Sequence, residues 1–369
     1  MKVLFLDDEP LVLQGIARSL AFAPEHWMLE FCTTGQQALE SMRATSYDIV
    51  FSDLRMPDMS GAEVLEAFMR DSPNTLRVIL SGYSDDQLTI ATLEVAQQFL
   101  VKPYSGDALI ALIQAQESYL QEQHDPEVTR LIGSLRRLPP APSAVHMMRQ
   151  LGADNDDLEA IVDIAGRDPS MTAMVMRMAN SAYFRPADPI CDLHTAALRL
   201  GTQTLKTLLL AAGIFRKDVF TASTELDAFS RRAIQAVGIA KVLCAAECDQ
   251  AMLTATLLAD VGRIVLHCNG HQQWAPSDQP DADCHAAIGA YLLQCWGLPS
   301  DIVSLVRHHH QPQRAPADLD LNALLRVHLA VSLSNAEDLD HDFIHNSAEG
   351  NSLLELALAQ PAAVETSDV

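Results

Sequence analysis

The sequence predicts two architectures in one chain: a doubly wound (βα)5 parallel α/β sheet followed by an all-helical domain. In residues 1 to 123, five short apolar runs alternate with stretches of helical periodicity, which is the pattern of a parallel sheet. Each run ends in polar or charged residues, as expected at the carboxyl ends of buried strands. From residue 138 onward the apolar spacing is helical almost throughout.

The first predicted helix opens at Pro10, because proline suits the first helical position. Thr34 is placed to cap the second helix. Strands are predicted at 2–6, 27–32, 48–52, 76–80 and 99–101, and further helices at 35–44, 62–70, 86–95 and 106–123. The apolar face of the first helix is predicted to consist of Leu11, Val12, Ile16 and Leu20.

Composition excludes several classes of function. The 369 residues carry a net charge of −23 without any basic run, so binding to nucleic acid or to an anionic membrane surface is not expected. We expect no apolar span of 18 residues, and the N-terminus enters a strand rather than a signal peptide. The seven irregularly spaced cysteines are typical of reduced thiols, so we expect a cytoplasmic protein.

The residues at the predicted strand ends indicate phosphoryl chemistry. Asp7 and Asp8 follow the first strand, Asp53 the third, Ser81 the fourth and Lys102 the fifth. Three carboxylates brought together repel one another, and an all-oxygen set suits Mg²⁺. A bound cation keeps an aspartate ionised and nucleophilic towards phosphorus, while an ammonium and a hydroxyl hold the phosphoryl oxygens.

These motifs resemble the receiver domain of two-component response regulators, over residues 1–123. The matching pieces are D-D after strand one, D-x-R-M-P-x-x-x-G from Asp53, S-G after strand four and K-P after strand five. The resemblance implies that Asp53 accepts a phosphoryl group from a sensor histidine kinase. It also implies a Mg²⁺ site made by Asp8, Asp53 and the Arg55 carbonyl, with Asp7 assisting.

By the same resemblance, Ser81 and Lys102 contact the phosphoryl group, and Phe99 is an aromatic switch. We expect the Phe99 ring to move from an exposed to a buried position on phosphorylation. The resemblance further implies a homodimer through the face formed by residues 86–123.

Residues 124–137 are interpreted as a helical connector. His124-Asp125-Pro126 either breaks the preceding helix or lets it continue to Leu135, and both alternatives stay open at this point. The proline-rich segment Leu138–Pro142 is predicted to end the helix that precedes it. We place the second domain at 138–345 and a C-terminal tail at 346–369.

The second domain is predicted to contain a series of helices. A methionine-rich helix starts at Pro169, with methionines at core spacing. The stretch 194–214 is predicted as two helices around Gly201. Further helices are predicted at 157–165, 229–245, 251–267, 284–294, 299–308 and 321–333, with another beginning near Val145.

Seven short sequence motifs, taken in their order along the chain, resemble the HDOD domain, a non-catalytic relative of the HD metal-dependent phosphohydrolases. The resemblance implies a helical, non-enzymatic output domain that binds an unidentified protein partner. The pieces are L-P-P-A-P at 138–142, R-D-P-S-M-T at 167–172, M-A-N-S-A-Y-F at 178–184, A-A-L-R-L-G at 196–201, L-L-A-D-V-G-R at 257–263, W-G-L-P at 296–299 and H-H-H-Q-P at 308–312.

The metal ligands of an HD enzyme are incomplete here. Ala259 stands where the histidine of the His-Asp pair is expected, and Arg231-Arg232 stands near the position of an earlier histidine. A guanidinium cannot bind a metal ion. The remnants of the HD site are Asp260, His285, His308 and His309. We therefore predict no enzyme activity. The alternative is a metal-dependent cyclic-dinucleotide phosphodiesterase of the HD class under receiver control. In that case these four residues would bind one metal ion weakly.

A second group of nitrogen and sulfur residues suggests zinc at first sight. Its spacing fits no closed structural zinc pattern, and free cysteines are commonly buried as small hydrophobic residues. We therefore predict no zinc at this group, which consists of His267, Cys268, His271, Cys284 and His285.

Overall fold

The computed structural model describes most of the chain, and the chain divides into two compact units. The first unit is formed mostly by Met1–Arg137 and the second mostly by the chain from Leu138 onward. The described residues are 1–82, 90–121, 126–152, 155–181, 189–211, 223–244, 248–269 and 284–359.

The first unit is an α/β layer structure around a five-stranded parallel sheet, as predicted. The strand order is β2-β1-β3-β4-β5, a doubly wound order in which strands are added to one side of β1 and then, from β3 onward, to its other side. The strands are β1 Lys2–Leu6, β2 Met28–Cys32, β3 Ile49–Asp53, β4 Leu76–Ser81 and β5 Gln98–Val101. The helices are α1 Pro10–Ser19, α2 Gly35–Ala44, α3 Gly61–Asp71, α4 Ile90–Val95, α5 Gly106–Gln121 and α6 Pro126–Ser134.

Helix starts in this unit follow the local sequence. The Thr34 side chain accepts a hydrogen bond from the Gln37 N–H, so it caps α2 as predicted. Ser60 and Glu63 form a reciprocal capping box that fixes the start of α3 directly after the Asp53 loop. The predicted face of α1 is partly wrong: Leu13 is buried, whereas Leu11 is 73% exposed. Periodicity alone could not choose between two neighbouring apolar stripes.

Helix α6 belongs to the first unit through a buried arginine. Arg77, on β4, is fully buried, and its Nε–H donates to the Val95 carbonyl at 2.7 Å. One of its terminal nitrogens donates to the Gly133 carbonyl of α6 at 2.8 Å. A Cβ on Gly133 would lie 1.6 Å from the Pro73 oxygen, so glycine is required for this close approach.

The second unit is helical throughout its described residues. Gly201 has φ 73° and ψ 158°, which breaks α10 into two parts where the sequence predicts a division. The helices are α7 Pro142–Leu151, α8 Leu158–Ala165, α9 Pro169–Asn180, α10 Leu193–Ala211, α11 Thr224–Leu243, α12 Gln250–Leu258, α13 Val261–Cys268, α14 Cys284–Cys295, α15 Ser300–His308, α16 Leu321–Asn335, α17 His341–Asn346 and α18 Gly350–Leu358, with a short 3₁₀ turn at Pro312–Arg314.

The predicted single helix at 251–267 is wrong, because the chain breaks at Ala259 and Asp260 into α12 and α13. The expectation that no long apolar span exists is also corrected. Within the described residues, Gln250–Cys268 is long and apolar enough to cross a membrane by length and composition. However, 72% of the 18-residue apolar window within it is buried inside the protein.

A buried carboxylate organises the start of the second unit. Asp168 is 1% exposed and accepts hydrogen bonds from the Ala141 N–H at 2.8 Å, the Met171 N–H at 2.8 Å and the Ser230 hydroxyl at 2.9 Å. It therefore caps α9 and ties α9 to α11 and to the segment before α7. The aspartate of the R-D-P-S-M-T motif is thus a structural residue.

Candidate functional site

The ends of the parallel strands bring two carboxylates to one ammonium group. Asp7 follows β1 and is 1% exposed; Asp53 ends the neighbouring β3 and is 8% exposed. The Lys102 Nζ donates to Asp7 Oδ2 at 2.6 Å and also to Asp53 Oδ1. Sequence analysis placed these residues at one edge of the sheet, and the structure joins them into one hydrogen-bonded group.

Backbone donors complete the environment of the two carboxylates. The Arg55 N–H donates to Asp53 Oδ2 at 2.8 Å, and the Glu9 N–H donates to Asp7 Oδ1 at 3.0 Å. Burial raises the pKa of Asp53, although Lys102 partly opposes this. Burial lowers the pKa of Lys102, but its hydrogen bonds to Asp53 and Asp7 outweigh that effect and raise it. The Lys102 ammonium therefore neutralises part of the negative charge of the two carboxylates. The sequence analysis gave that role to a bound Mg²⁺ ion alone.

The other predicted residues lie at the same edge but differ in detail. Asp8 is half-buried beside Asp7. Ser81 ends β4 and is 1% exposed, with its hydroxyl 3.5 Å from the Gly82 carbonyl. Phe99 is 3% exposed and belongs to the core cluster with Ile79, so the expectation of an exposed ring in the starting state is wrong. The same cluster contains Ile79 of β4 and Val95 at the end of α4, so the ring is part of the hydrophobic core.

Tyr104 is a neighbour that sequence reasoning missed. Its hydroxyl is buried and has no hydrogen-bond partner among the described residues. Burial raises the pKa of Tyr104 to about 12, while the nearby Lys102 opposes the shift. Its position two residues after Lys102 was the available sequence signal.

In the second unit, the break between α12 and α13 places Asp260 in a polar cluster. Asp260 is 4% exposed and accepts from Arg263 Nε at 2.8 Å and from the Asn335 amide at 2.9 Å. Burial alone would raise the pKa of Asp260, but His285, Arg263 and Asn335 hold it below its usual range. Arg263 also bonds Glu337, which follows α16.

Three imidazoles converge beside Asp260. The ligand nitrogens of His285, His309 and His310 all lie within 4.8 Å of one another. The Nε2 atoms of His285 and His310 are 3.2 Å apart, and His285 Nε2 is 3.4 Å from Asp260 Oδ1. Burial lowers the pKa of His309 to about 3 and also lowers that of His310, so both rings are neutral.

The expected remnants are only partly grouped. Asp260, His285 and His309 lie together as predicted. The further histidine of the group is His310 and not the predicted His308. His308 ends α15 and is half-buried outside this group. A run of three histidines after a helix does not reveal which rings turn inward. Arg263 was detectable as an i+3 partner of Asp260, whereas Asn335 and Glu337, far along the chain, gave no local signal.

The other nitrogen and sulfur group does not assemble around one point in the described residues. His267 pairs with Glu225 at 2.8 Å, Cys268 is exposed, and His285 lies in the imidazole group above. His271 lies outside the described residues, and so does the Cys284 side chain.

Comparison with known protein families identifies both parts of the chain. Residues 3–114 match the response regulator receiver domain, and residues 138–279 match the HDOD domain. The chain therefore carries a receiver domain of the response regulators at its N-terminal end, followed by an HDOD domain.

Its relatives include response regulators. The chain is 36% identical over 138 residues to the transcriptional regulatory protein BasR of Escherichia coli, a match that covers 37% of this chain and 60% of BasR. It is 31% identical over 132 residues to the DNA-binding transcriptional regulator NtrC of Escherichia coli, covering 35% of this chain and 27% of NtrC. The chain thus spans only part of the length of these relatives.

Solved structures resemble parts of the chain. An uncharacterised protein from Neptuniibacter caesariensis is 31% identical, with a TM-score of 0.30, and covers 33% of this chain and 91% of its own. A virulence factor from Campylobacter jejuni is 17% identical, with a TM-score of 0.47, and covers 64% of this chain and 92% of its own.

Gly61 fixes the backbone beside Asp53, and its substitution tests that arrangement. A Cβ at Gly61 would lie 2.0 Å from the Asp53 carbonyl oxygen. We expect Gly61→Ala to destabilise the first unit by about 1–3 kcal/mol, because backbone atoms must move apart. The measurement is the urea midpoint of unfolding.

Gly15→Ala is the matched control, since a Cβ there meets nothing within 4 Å and Gly15 lies inside α1. It should stabilise by about 0.5–1 kcal/mol, the usual gain from replacing a helical glycine. Equal shifts for the two variants would contradict the close packing at Asp53.

Proposed function

We propose that this response regulator is switched by a phosphoryl group on Asp53, which it takes from a sensor histidine kinase. The observation that carries the proposal is the shared hydrogen bonding of Asp7 and Asp53 to Lys102 at the carboxyl edge of the sheet. The Lys102 ammonium and the Arg55 N–H both donate to the Asp53 carboxylate, so its orientation is fixed before it reacts.

The reaction follows from this geometry. One Asp53 carboxylate oxygen attacks the phosphorus of a phosphohistidine, the P–N bond breaks, and its electron pair returns to the imidazole. The product is an aspartyl phosphate. Lys102 then binds a phosphoryl oxygen, and the Ser81 hydroxyl is the second group able to do so once its loop moves inward.

Oxygen atoms at this edge suit Mg²⁺, which neutralises phosphoryl charge when bound. The carboxylates of Asp8 and Asp53 and the Arg55 carbonyl would hold it, with Asp7 assisting. The Arg55 N–H already lies 2.8 Å from Asp53 Oδ2, so the Arg55 peptide is beside the carboxylate. This donor set contains only oxygen and therefore fits the ion.

The HDOD domain is proposed to act as a non-enzymatic output that binds a protein partner. The Arg263 guanidinium donates to Asp260, and Ala259 offers no ligand in the buried position beside it. Arg232 lies over the Phe229 ring, 5.0 Å from its centroid. We further propose that the protein acts in the cytoplasm, and the chain's acidity supports neither nucleic-acid nor membrane binding.

Asp53→Ala should abolish labelling of the full chain by acetyl phosphate with Mg²⁺, because the nucleophilic oxygen is removed. Labelling is measured by intact mass and by phosphate-affinity electrophoresis. Asp58→Asn is the control, since Asp58 lies in the same loop but its carboxylate accepts from the Gly35 N–H. Persistent labelling of Asp53→Ala at the wild-type level would refute the assignment.

The full chain should hydrolyse no cyclic dinucleotide with Mg²⁺, Mn²⁺ or Fe²⁺, because the ligand set of an HD enzyme is incomplete. Product formation is followed by chromatography, with and without phosphorylation. The control is the double variant Asp260→Ala/His309→Ala. Turnover by the wild type that this variant lacks would establish the phosphodiesterase alternative.

Phosphorylation is proposed to create a homodimer through residues 86–123, of which 86–89, 122 and 123 lie outside the described residues. The added phosphoryl group brings nearly two negative charges, which redistribute the contacts of Lys102 and Ser81. Beryllofluoride, a phosphoryl mimic, should raise the sedimentation mass of the wild type towards twice that of the chain. Asp53→Ala should stay unchanged. Equal mass in both states at full occupancy would exclude this interface.

A further inference from the structure

The amino end of α11 brings a serine, an imidazole and a carboxylate into one hydrogen-bonded chain. The Oγ of Ser223, directly before α11, lies 3.3 Å from Nε2 of His267, in the last turn of α13. The other ring nitrogen of His267, Nδ1, lies 2.8 Å from the Glu225 carboxylate in the first turn of α11. A nucleophile, a base and a group that orients the base therefore follow one another, which is the geometry of an activated serine.

The positions of the protons follow from the hydrogen-bond partners. A carboxylate can only accept, so the ring proton of His267 is on Nδ1 and is donated to Glu225. Nε2 then carries a lone pair, which accepts the hydroxyl proton of Ser223. The Ser223 Oγ itself accepts from the Leu226 N–H at 3.3 Å, which fixes its direction. Each bond thus runs in the direction that removal of the serine proton by a general base requires.

The surroundings of the serine suit a negative charge that develops during a reaction. The N–H groups of Thr224 and Glu225 head α11, where a helix offers no carbonyl partner of its own and where its dipole is positive. Donors of this kind stabilise the oxyanion of acyl transfer. The half-buried Phe229 ring forms a T-shaped contact with His267, with 6.2 Å between the ring centroids, and adds apolar surface beside the base.

The capping role of Ser223 does not by itself account for the imidazole. Ser60 caps α3 through the same kind of bond, since its Oγ accepts from the Glu63 N–H at 3.3 Å. The Ser60 hydroxyl, however, donates to the Glu63 carboxylate at 2.7 Å. Ser60 is therefore a capping serine with a carboxylate in the place of the imidazole, and it serves as an internal control for the reactivity of Ser223.

We propose that Ser223 is an activated nucleophile that accepts an acyl group from an activated ester or thioester. Its Oγ attacks the carbonyl carbon while His267 Nε2 takes the hydroxyl proton, and Glu225 keeps the imidazole in position. The bond from that carbon to the leaving oxygen or sulfur breaks, its electron pair stays on the leaving atom, and His267 returns the proton there. The product is an acyl-serine, a covalent modification that uses none of the residues around Asp260 and does not require phosphorylation of Asp53.

The first test is covalent labelling of the full chain with an alkyl fluorophosphonate, a reagent for base-activated serines. The serine oxygen attacks phosphorus, the P–F bond breaks and fluoride leaves. Intact mass should show one label per chain, and peptide mapping should place it on Ser223 and not on Ser60. No label on the folded wild type, or equal labelling of Ser60 and Ser223, would overturn the proposal.

The second test uses p-nitrophenyl acetate as the acyl donor, with release of p-nitrophenolate followed by absorbance. The wild type should release at least one equivalent per chain and carry an acetyl group on Ser223 during the reaction. A chain that reacts with the fluorophosphonate but releases no p-nitrophenolate would contradict the acyl class of donor.

Variants assign the roles within the site. Ser223→Asn should abolish both reactions while α11 keeps its cap, because asparagine caps helices as well as serine does. His267→Gln should slow labelling of Ser223 by about 100-fold or more, the usual contribution of a general base. Glu225→Gln should slow it by a smaller factor. Labelling of Ser223 at the wild-type rate in His267→Gln, with a native circular dichroism spectrum, would mean that the imidazole is not the base.

The matched control is Cys268→Ser, because Cys268 is exposed, adjacent to His267 in sequence and a thiol that p-nitrophenyl acetate can itself acylate. This variant should react with both reagents as the wild type does. Loss of p-nitrophenolate release in Cys268→Ser would assign the reaction to the thiol and overturn the proposal for Ser223.

Discussion

Two carboxylates that are almost removed from water depend on one ammonium group. Asp7 and Asp53 end neighbouring strands, and without Lys102 their mutual repulsion and their burial would both oppose the fold. The lysine follows β5, at the far edge of the sheet from β2, so the interaction joins the first strand to the last. The order of the strands and the chemistry of the site are therefore aspects of the same constraint.

The sequence predicted this edge well because its information is local. Each polar residue directly follows a short apolar strand, and the carboxyl ends of parallel strands must meet on one side. What the sequence could not supply was side-chain direction. Phe99 is already buried, and the hydroxyl of Tyr104 lies in the interior near Lys102, because packing against non-local neighbours decides both.

Prediction was weaker in the helical unit for a related reason. The stretch 251–267 has continuous apolar periodicity, but the chain breaks at Asp260, whose carboxylate is bonded to Arg263 and to Asn335. Similarly, His310 and not His308 turns inward. A helical pattern specifies that a core exists; it does not specify which polar side chains the assembled helices enclose.

Arg77 has a consequence for where the receiver domain can be divided from the rest of the chain. Its guanidinium takes the Gly133 carbonyl as one acceptor, so the end of α6 completes the environment of a fully buried cation. A fragment ended at residue 123 would remove that acceptor and expose the surface around Pro73. The main segment of the first unit accordingly runs to Arg137, and a fragment that stops short of α6 would leave the Arg77 guanidinium of β4 without this acceptor.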